Sequence, residues 1–119
     1  MANFLFVYRQ DPARSGQMTP EARQQHTQKW QAWLNEGFQN GWLVQVGDGL
    51  KPEGRVVHGA KVVTDGPFVE SKEIVGGYSV VQADGLDEAG EIAKGSPCLL
   101  IGGTVEVRPL MGFVLESAR

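Results

Sequence analysis

Apolar and polar positions alternate along this chain in two different periods. Phe4 to Tyr8 is a short apolar run rich in aromatic and β-branched residues, the pattern of a strand buried on both faces. Asp11-Pro12 and Ser15-Gly16 then mark a loop. From Thr19 the period becomes helical. Thr19 is placed to cap a free N–H, Pro20 suits the first helical position, and Glu21 complements the helix dipole. Ala22, His26, Trp30, Trp33, Leu34 and Phe38 recur as one stripe, and Gly37 and Gly41 bracket the end.

Trp42 to Val46 predicts a second strand, and 47–54 a turn-rich segment. Arg55-Val56-Val57 and Ala60 to Thr64 read as two β runs joined by a tight two-residue turn at His58-Gly59. After a turn at 65–68, Ile74 to Ala83 predicts a longer strand interrupted by Gly76-Gly77. A second helix opens at Asp84-Gly85-Leu86-Asp87, with Asp84 as its expected N-cap and Leu86, Ala89 and Ala93 on one face. Gly95-Ser96-Pro97 ends it. Thr104 to Arg108 alternates as a strand, with Val105 and Val107 on one side and Glu106 and Arg108 on the other. Gly112 to Leu115 reads as a short edge strand.

The order is strand, helix, strand, hairpin, strand, helix, strand. It predicts an α+β, ferredoxin-like split βαβ: one antiparallel sheet with two helices on one face. No third helix is available for the other face. A homodimer that packs sheet on sheet is the expected solution.

Composition narrows the picture. The 119 residues suit a single domain, residues 1–119, and 41% hydrophobic content is that of a folded chain. The formal charge of −3 argues against direct nucleic-acid binding. One cysteine, Cys98, excludes an internal disulfide. No export signal or membrane span is apparent, so a cytoplasmic location away from membranes is expected. Glycine is the outlier at 16, and half of the glycines fall between Gly41 and Gly77.

Candidate chemistry clusters in the same region. Asp65 reads either as a carboxylate fixing the Asp-Gly-Pro turn or as a general base at the rim of a cleft. His26 reads as a core histidine or as a catalytic or ligand-binding imidazole. Arg55 and Arg108 are candidate anchors for an organic anion, with structural ion pairing as the alternative. Glu70 and Lys72, beside Glu73, form a charged cluster, either a solvated face or part of the site. Tyr78, after Gly76-Gly77, offers a hydroxyl where the glycines either open space for a ligand or admit a neighbouring group. His58 reads as an exposed turn residue. No metal-ligand spacing or cofactor motif occurs.

The segment Thr64-Asp65-Gly66-Pro67-Phe68-Val69-Glu70-Ser71-Lys72-Glu73, followed by Gly76-Gly77-Tyr78, resembles the DGPF-domain branch of the YCII-related family. Arg55 to Gly59, Asp84 to Ala89 and Gly103 to Leu110 agree with it. The resemblance implies a dimeric α+β barrel. It implies small-molecule chemistry through a His–Asp pair in a cleft near the dimer interface. Two positions differ from the family's pattern: His26 falls about one turn early, and His58-Gly59 stands where Asp-Gly is common. The expected function is binding or acid–base transformation of a small carboxylate-like molecule. The alternative is a non-catalytic interaction module tied, through the family's gene neighbourhoods, to transcription or stress signalling.

Overall fold

A computed structural model describes residues 1–66 and 74–113. Glu70, Lys72 and most of the DGPF segment lie outside the described residues. The elements follow the expected order: β1 (Ala2–Gln10), α1 (Pro12–Ser15), α2 (Pro20–Asn40), β2 (Leu43–Gly49), β3 (Gly54–Val57), β4 (Val63–Gly66), β5 (Ile74–Ala83), α3 (Leu86–Ala93) and β6 (Thr104–Pro109). The main sheet has strand order β2-β5-β1-β6, and its three ladders are antiparallel. This is the ferredoxin-like α+β arrangement. The β3–β4 hairpin stands apart as a two-stranded sheet of its own.

Period-2 burial decides which face carries the helices. Phe4, Phe6 and Tyr8 on β1 and Ser79, Val81 and Ala83 on β5 are buried, while their neighbours are more open. α2 delivers Trp33 onto this face, stacked on Phe6 with ring centroids 6.4 Å apart. Ala89 and Ala93 of α3 complete the core. Burying such side chains contributes about 1.5–3 kcal/mol each for the large ones. The other face of the sheet has no covering element among the described residues. It presents Leu5, Val7 and Val80, with Arg9, Glu106 and Arg108 paired on it: Arg9 bonds Glu106 at 3.0 Å and Arg108 bonds it at 3.2 Å. Two guanidinium hydrogen bonds, Arg9 first, hold the Glu106 carboxyl below the usual carboxylate range.

Local chemistry explains most boundaries. Thr19 Oγ1 accepts the Ala22 N–H at 3.1 Å, and Gly41 closes α2 at φ 81°. Several details differ from the sequence reading. The loop after β1 contains a single helical turn, α1, because Asp11 Oδ1 accepts the Ala13 N–H at 2.9 Å. β2 continues to Gly49 rather than stopping at Val46. The N-cap of α3 is Gly85, without a side-chain cap, and Glu88 Oε1 reaches back to the Asp84 N–H instead. A 3-10 turn at Pro97–Ile101, capped by Ser96, fills the link to β6.

The hairpin turn is also longer than two residues. His58 and Val62 share a backbone hydrogen bond, Lys61 N–H donates to the His58 carbonyl, and Lys61 takes φ 63°. A type I turn followed by a left-handed residue has this form. Phe38, expected on the apolar stripe, is 75% exposed. Trp42 folds back onto Gly37, where a Cβ would meet the indole at 2.5 Å. Gly112 and Phe113 are not in a strand, and 114–115 lie outside the described residues.

Candidate functional site

One end of the sheet–helix interface is open. A cavity of about 700 Å³ lies between the first half of α2, the end of β1, and the β2–β5 edge. Helical spacing puts Arg23, His26, Thr27, Trp30 and Leu34 along its α2 wall. Val46 to Leu50 and Ile74 to Ser79 form the opposite wall.

Two irregularities shape that second wall. Across the β1–β5 ladder Tyr8 faces Gly77 and Arg9 faces Val75, so Gly76 is an extra, bulged residue. A Cβ there would meet the Gln10 side chain at 2.7 Å, and one on Gly77 would meet the Asp48 carbonyl at 2.8 Å. The paired glycines therefore admit neighbouring protein groups while also bordering the cavity. β2 bulges too, around Val46 and Gly47, with Gly47 at φ 73°. The bulge leaves the Val46 carbonyl free to accept the Ser79 hydroxyl at 2.7 Å, and Ser79 in turn accepts the Tyr8 hydroxyl at 2.9 Å. This chain satisfies every member. Burial, only partly offset by the Ser79 bond, pushes the Tyr8 phenol up to about 12. Tyr8 is thus a fixed neutral wall at ordinary pH, its proton committed to Ser79.

His26 has a defined role in the geometry. Trp30 Nε1–H donates to His26 Nε2 at 3.0 Å, one turn along α2. The accepting nitrogen is unprotonated, so the ring carries its hydrogen on Nδ1. Burial, and then the nearby Lys29 charge, lower its pKa below the ordinary 6.5. At neutral pH it is a neutral imidazole that can donate one hydrogen bond. Trp30 also packs edge-on against Tyr8, with centroids 4.7 Å apart, so the indole is held from two sides.

Among the described residues, the α2 side of the rim carries one charged side chain. Arg23 is exposed and is in no ion pair among the described residues. Asp48 lines the cavity by backbone; its side chain, opposite Tyr78 in the ladder, is on the uncovered sheet face, where one oxygen accepts the Gly49 N–H at 2.8 Å. The rest of the lining is largely apolar, including Met18, Leu34, Leu50, Pro52, Ile74 and Ile101. A concave, mostly apolar wall with a few polar groups is the usual form of a small-molecule site.

The residues singled out from sequence separate into three places. His26 borders the cavity; Tyr78 lines it by backbone alone, since it sits opposite Val7 and its side chain is on the uncovered sheet face, so its hydroxyl is not offered to the site as the sequence suggested. Tyr78 is 38% exposed and sits at the strand position between buried Gly77 and Ser79. Arg55 and Asp65 are on the hairpin, directly opposite each other, and pair at 3.3 Å. The Asp65 side chain is 94% exposed, so it lacks the partial burial a general base in a cleft needs. Arg108 lies on the uncovered sheet face with Glu106. His58 is exposed and meets Thr64 Oγ1 at 3.0 Å. Arg23 and Asp48 were not singled out. Arg23 could have been found, since it is three residues before His26 on the same helix face. The face Asp48 takes could not be read from sequence, because the β2 bulge sets it.

Cys98 is buried, and its thiol contacts the carbonyls of Arg9 and Thr104 at 3.4 and 3.5 Å. Among the described residues no three His, Cys, Asp or Glu side chains gather as a metal site, and no helix is long and apolar enough to cross a membrane. A comparison with curated proteins returned no match. The model of the YCII-related domain matches residues 2–114, nearly the whole chain. With the ferredoxin-like sheet and its cleft in place, the chain belongs to the YCII-related family.

Proposed function

We propose that this protein binds a small organic carboxylate in the cleft between α2 and the β2–β5 edge. The observation that carries this reading is Arg23: a guanidinium outside any ion pair among the described residues, at the rim of an apolar cavity. Its planar fork suits a carboxylate. His26 adds a neutral donor on the same wall. In this arrangement the anchoring role passes from Arg55 and Arg108, both already paired, to Arg23.

Proton transfer on the bound molecule depends on His26 Nε2. That nitrogen takes a proton only when the Trp30 N–H leaves it, so acid–base chemistry needs a ligand that displaces the indole. Binding comes first in this reading, and proton abstraction by His26 is the reaction open to it.

The working unit is a homodimer in the cytoplasm. The uncovered sheet face supports this, since it mixes Leu5, Val7 and Val80 with an ion-paired cluster in which Arg9 and Arg108 share Glu106. The Asp65-Gly66-Pro67-Phe68 sequence supports placement in the DGPF branch.

The test is a thermal-shift titration with 3-phenylpropionate, comparing wild type with Arg23→Gln. Stabilisation of wild type that falls by about tenfold in apparent affinity in the variant is expected for a lost guanidinium–carboxylate contact. Identical responses of the two proteins would overturn the assignment of Arg23.

A further inference from the structure

β1 and α2 run in opposite directions, and their contacts keep step. Phe6 of β1 stacks on Trp33 of α2, and Tyr8, two residues on, meets Trp30, three residues back. The next step along both elements sets Gln10 across the cavity from His26 and Thr27, with Arg23 one turn further out. Alternation along β1 gives Gln10 the same face as Phe6 and Tyr8, since Arg9 between them pairs with Glu106 on the uncovered face.

The bulge in β5 makes room for the Gln10 side chain. Gly76 is the extra residue there, and a Cβ on it would meet Gln10 Nε2 at 2.7 Å and Cδ at 2.8 Å. Gln10 is half-buried, and it is the one side-chain amide among the described residues that line the cavity. Among the described residues that amide has no hydrogen-bond partner. A ligand that fills the cavity covers it. A hydrocarbon body there strips the amide of water and returns nothing, whereas an oxygen in the same place restores a hydrogen bond. His26 is one turn from Arg23, so a group lying between Gln10 and His26 stands close to a carboxylate held by Arg23.

We propose that the ligand is an acid with a second oxygen near its carboxylate, a hydroxy acid or an oxo acid, its carboxylate on Arg23 and its second oxygen on the Gln10 amide. This rests on the carboxylate reading of the cleft and names the class of acid. An amide both donates and accepts, so it serves a hydroxyl and a carbonyl alike. Gln10 is then the residue that sets specificity, because it disfavours the acid that lacks the second oxygen.

The experiment is calorimetric titration of the intact protein with three matched acids: 3-phenylpropionate, 2-hydroxy-3-phenylpropionate and 2-oxo-3-phenylpropionate. The two oxygenated acids separate a hydroxyl from a carbonyl. In wild type, at least one of them should bind roughly tenfold tighter than 3-phenylpropionate. Gln10→Met, which keeps the length of the side chain, and Gln10→Ala should each abolish that advantage and leave 3-phenylpropionate binding. Arg23→Gln should weaken all three. Retained binding of 3-phenylpropionate, with circular-dichroism melts, shows that the Gln10 variants stay folded. Equal binding of the three acids, with Arg23 dependence, overturns the second oxygen and leaves the carboxylate reading standing. An advantage that survives both Gln10 variants overturns the role of Gln10. No binding by any of the three overturns both readings.

Discussion

Single atoms set the chemistry of the cleft. His26 is neutral because its ring is half-buried and Lys29 is near, and Trp30 fixes where its hydrogen lies. The unfolded chain takes up that proton near 6.5, and the folded chain does so only at lower pH. Stability from this group is therefore complete above about 6.5 and is lost as pH falls through the folded value. NMR titration should show His26 protonating below 6.5, and Trp30→Phe, which frees Nε2, should move it upward. A His26 that titrates above its ordinary value would contradict the arrangement. Tyr8 works in the other direction. Its folded value of about 12 lies above the ordinary 10.0, so its contribution is whole below pH 10 and is lost as pH rises towards 12. Tyr8→Phe should remove the hydrogen bond that Ser79 Oγ accepts, leaving the Ser79–Val46 bond in place, and cost about 1 kcal/mol in chemical denaturation. Gly47 is the least replaceable position on the β2 wall. It combines φ 73° with a direct backbone clash between an added Cβ and the Tyr78 carbonyl. Gly47→Ala should lose at least about 2 kcal/mol.

Among the elements, α2 was the most legible. A Thr cap, Pro at the first turn, a 3.6-residue stripe and a closing glycine all agree, and each depends only on neighbours in sequence. β5 was legible for the same reason. What escaped is non-local. Phe38 lies on the α2 stripe and is nevertheless exposed. Which face of the sheet Asp48 takes depends on how many residues β2 inserts against β5. Asp65 carried strong turn chemistry in the sequence, but its exposure is fixed by the hairpin standing apart from the main sheet. The α3 helix carries an avoidable weakness. Gly90 lies inside it with nothing within 4 Å of an added Cβ. Gly90→Ala should stabilise the fold by about 1 kcal/mol, read as a higher melting temperature without change in ligand response.

The whole chain is more extended than its length requires. Its radius of gyration is 15.9 Å, against about 13.5 Å for a compact chain of this size. The β3–β4 hairpin forms a sheet of its own, outside the main sheet. A sheet that the described residues cover on one face only, with Leu5, Val7 and Val80 on the other, is suited to meeting a copy of itself. Sedimentation should give twice the monomer mass, and Val7→Glu on that face should shift it towards 12.9 kDa. A monomeric wild type at micromolar concentration would contradict the dimer.

The central claim is that the cleft beside α2 is the binding site. Titrating isotope-labelled protein with 3-phenylpropionate and following amide and indole NMR signals tests it directly. The account predicts that shifts concentrate at Arg23, His26, Thr27 and the Trp30 indole, and at 47–49 and 76–78. Shifts confined to Arg55 and Asp65 on the hairpin, or to Arg9, Glu106 and Arg108 on the uncovered face, would contradict it.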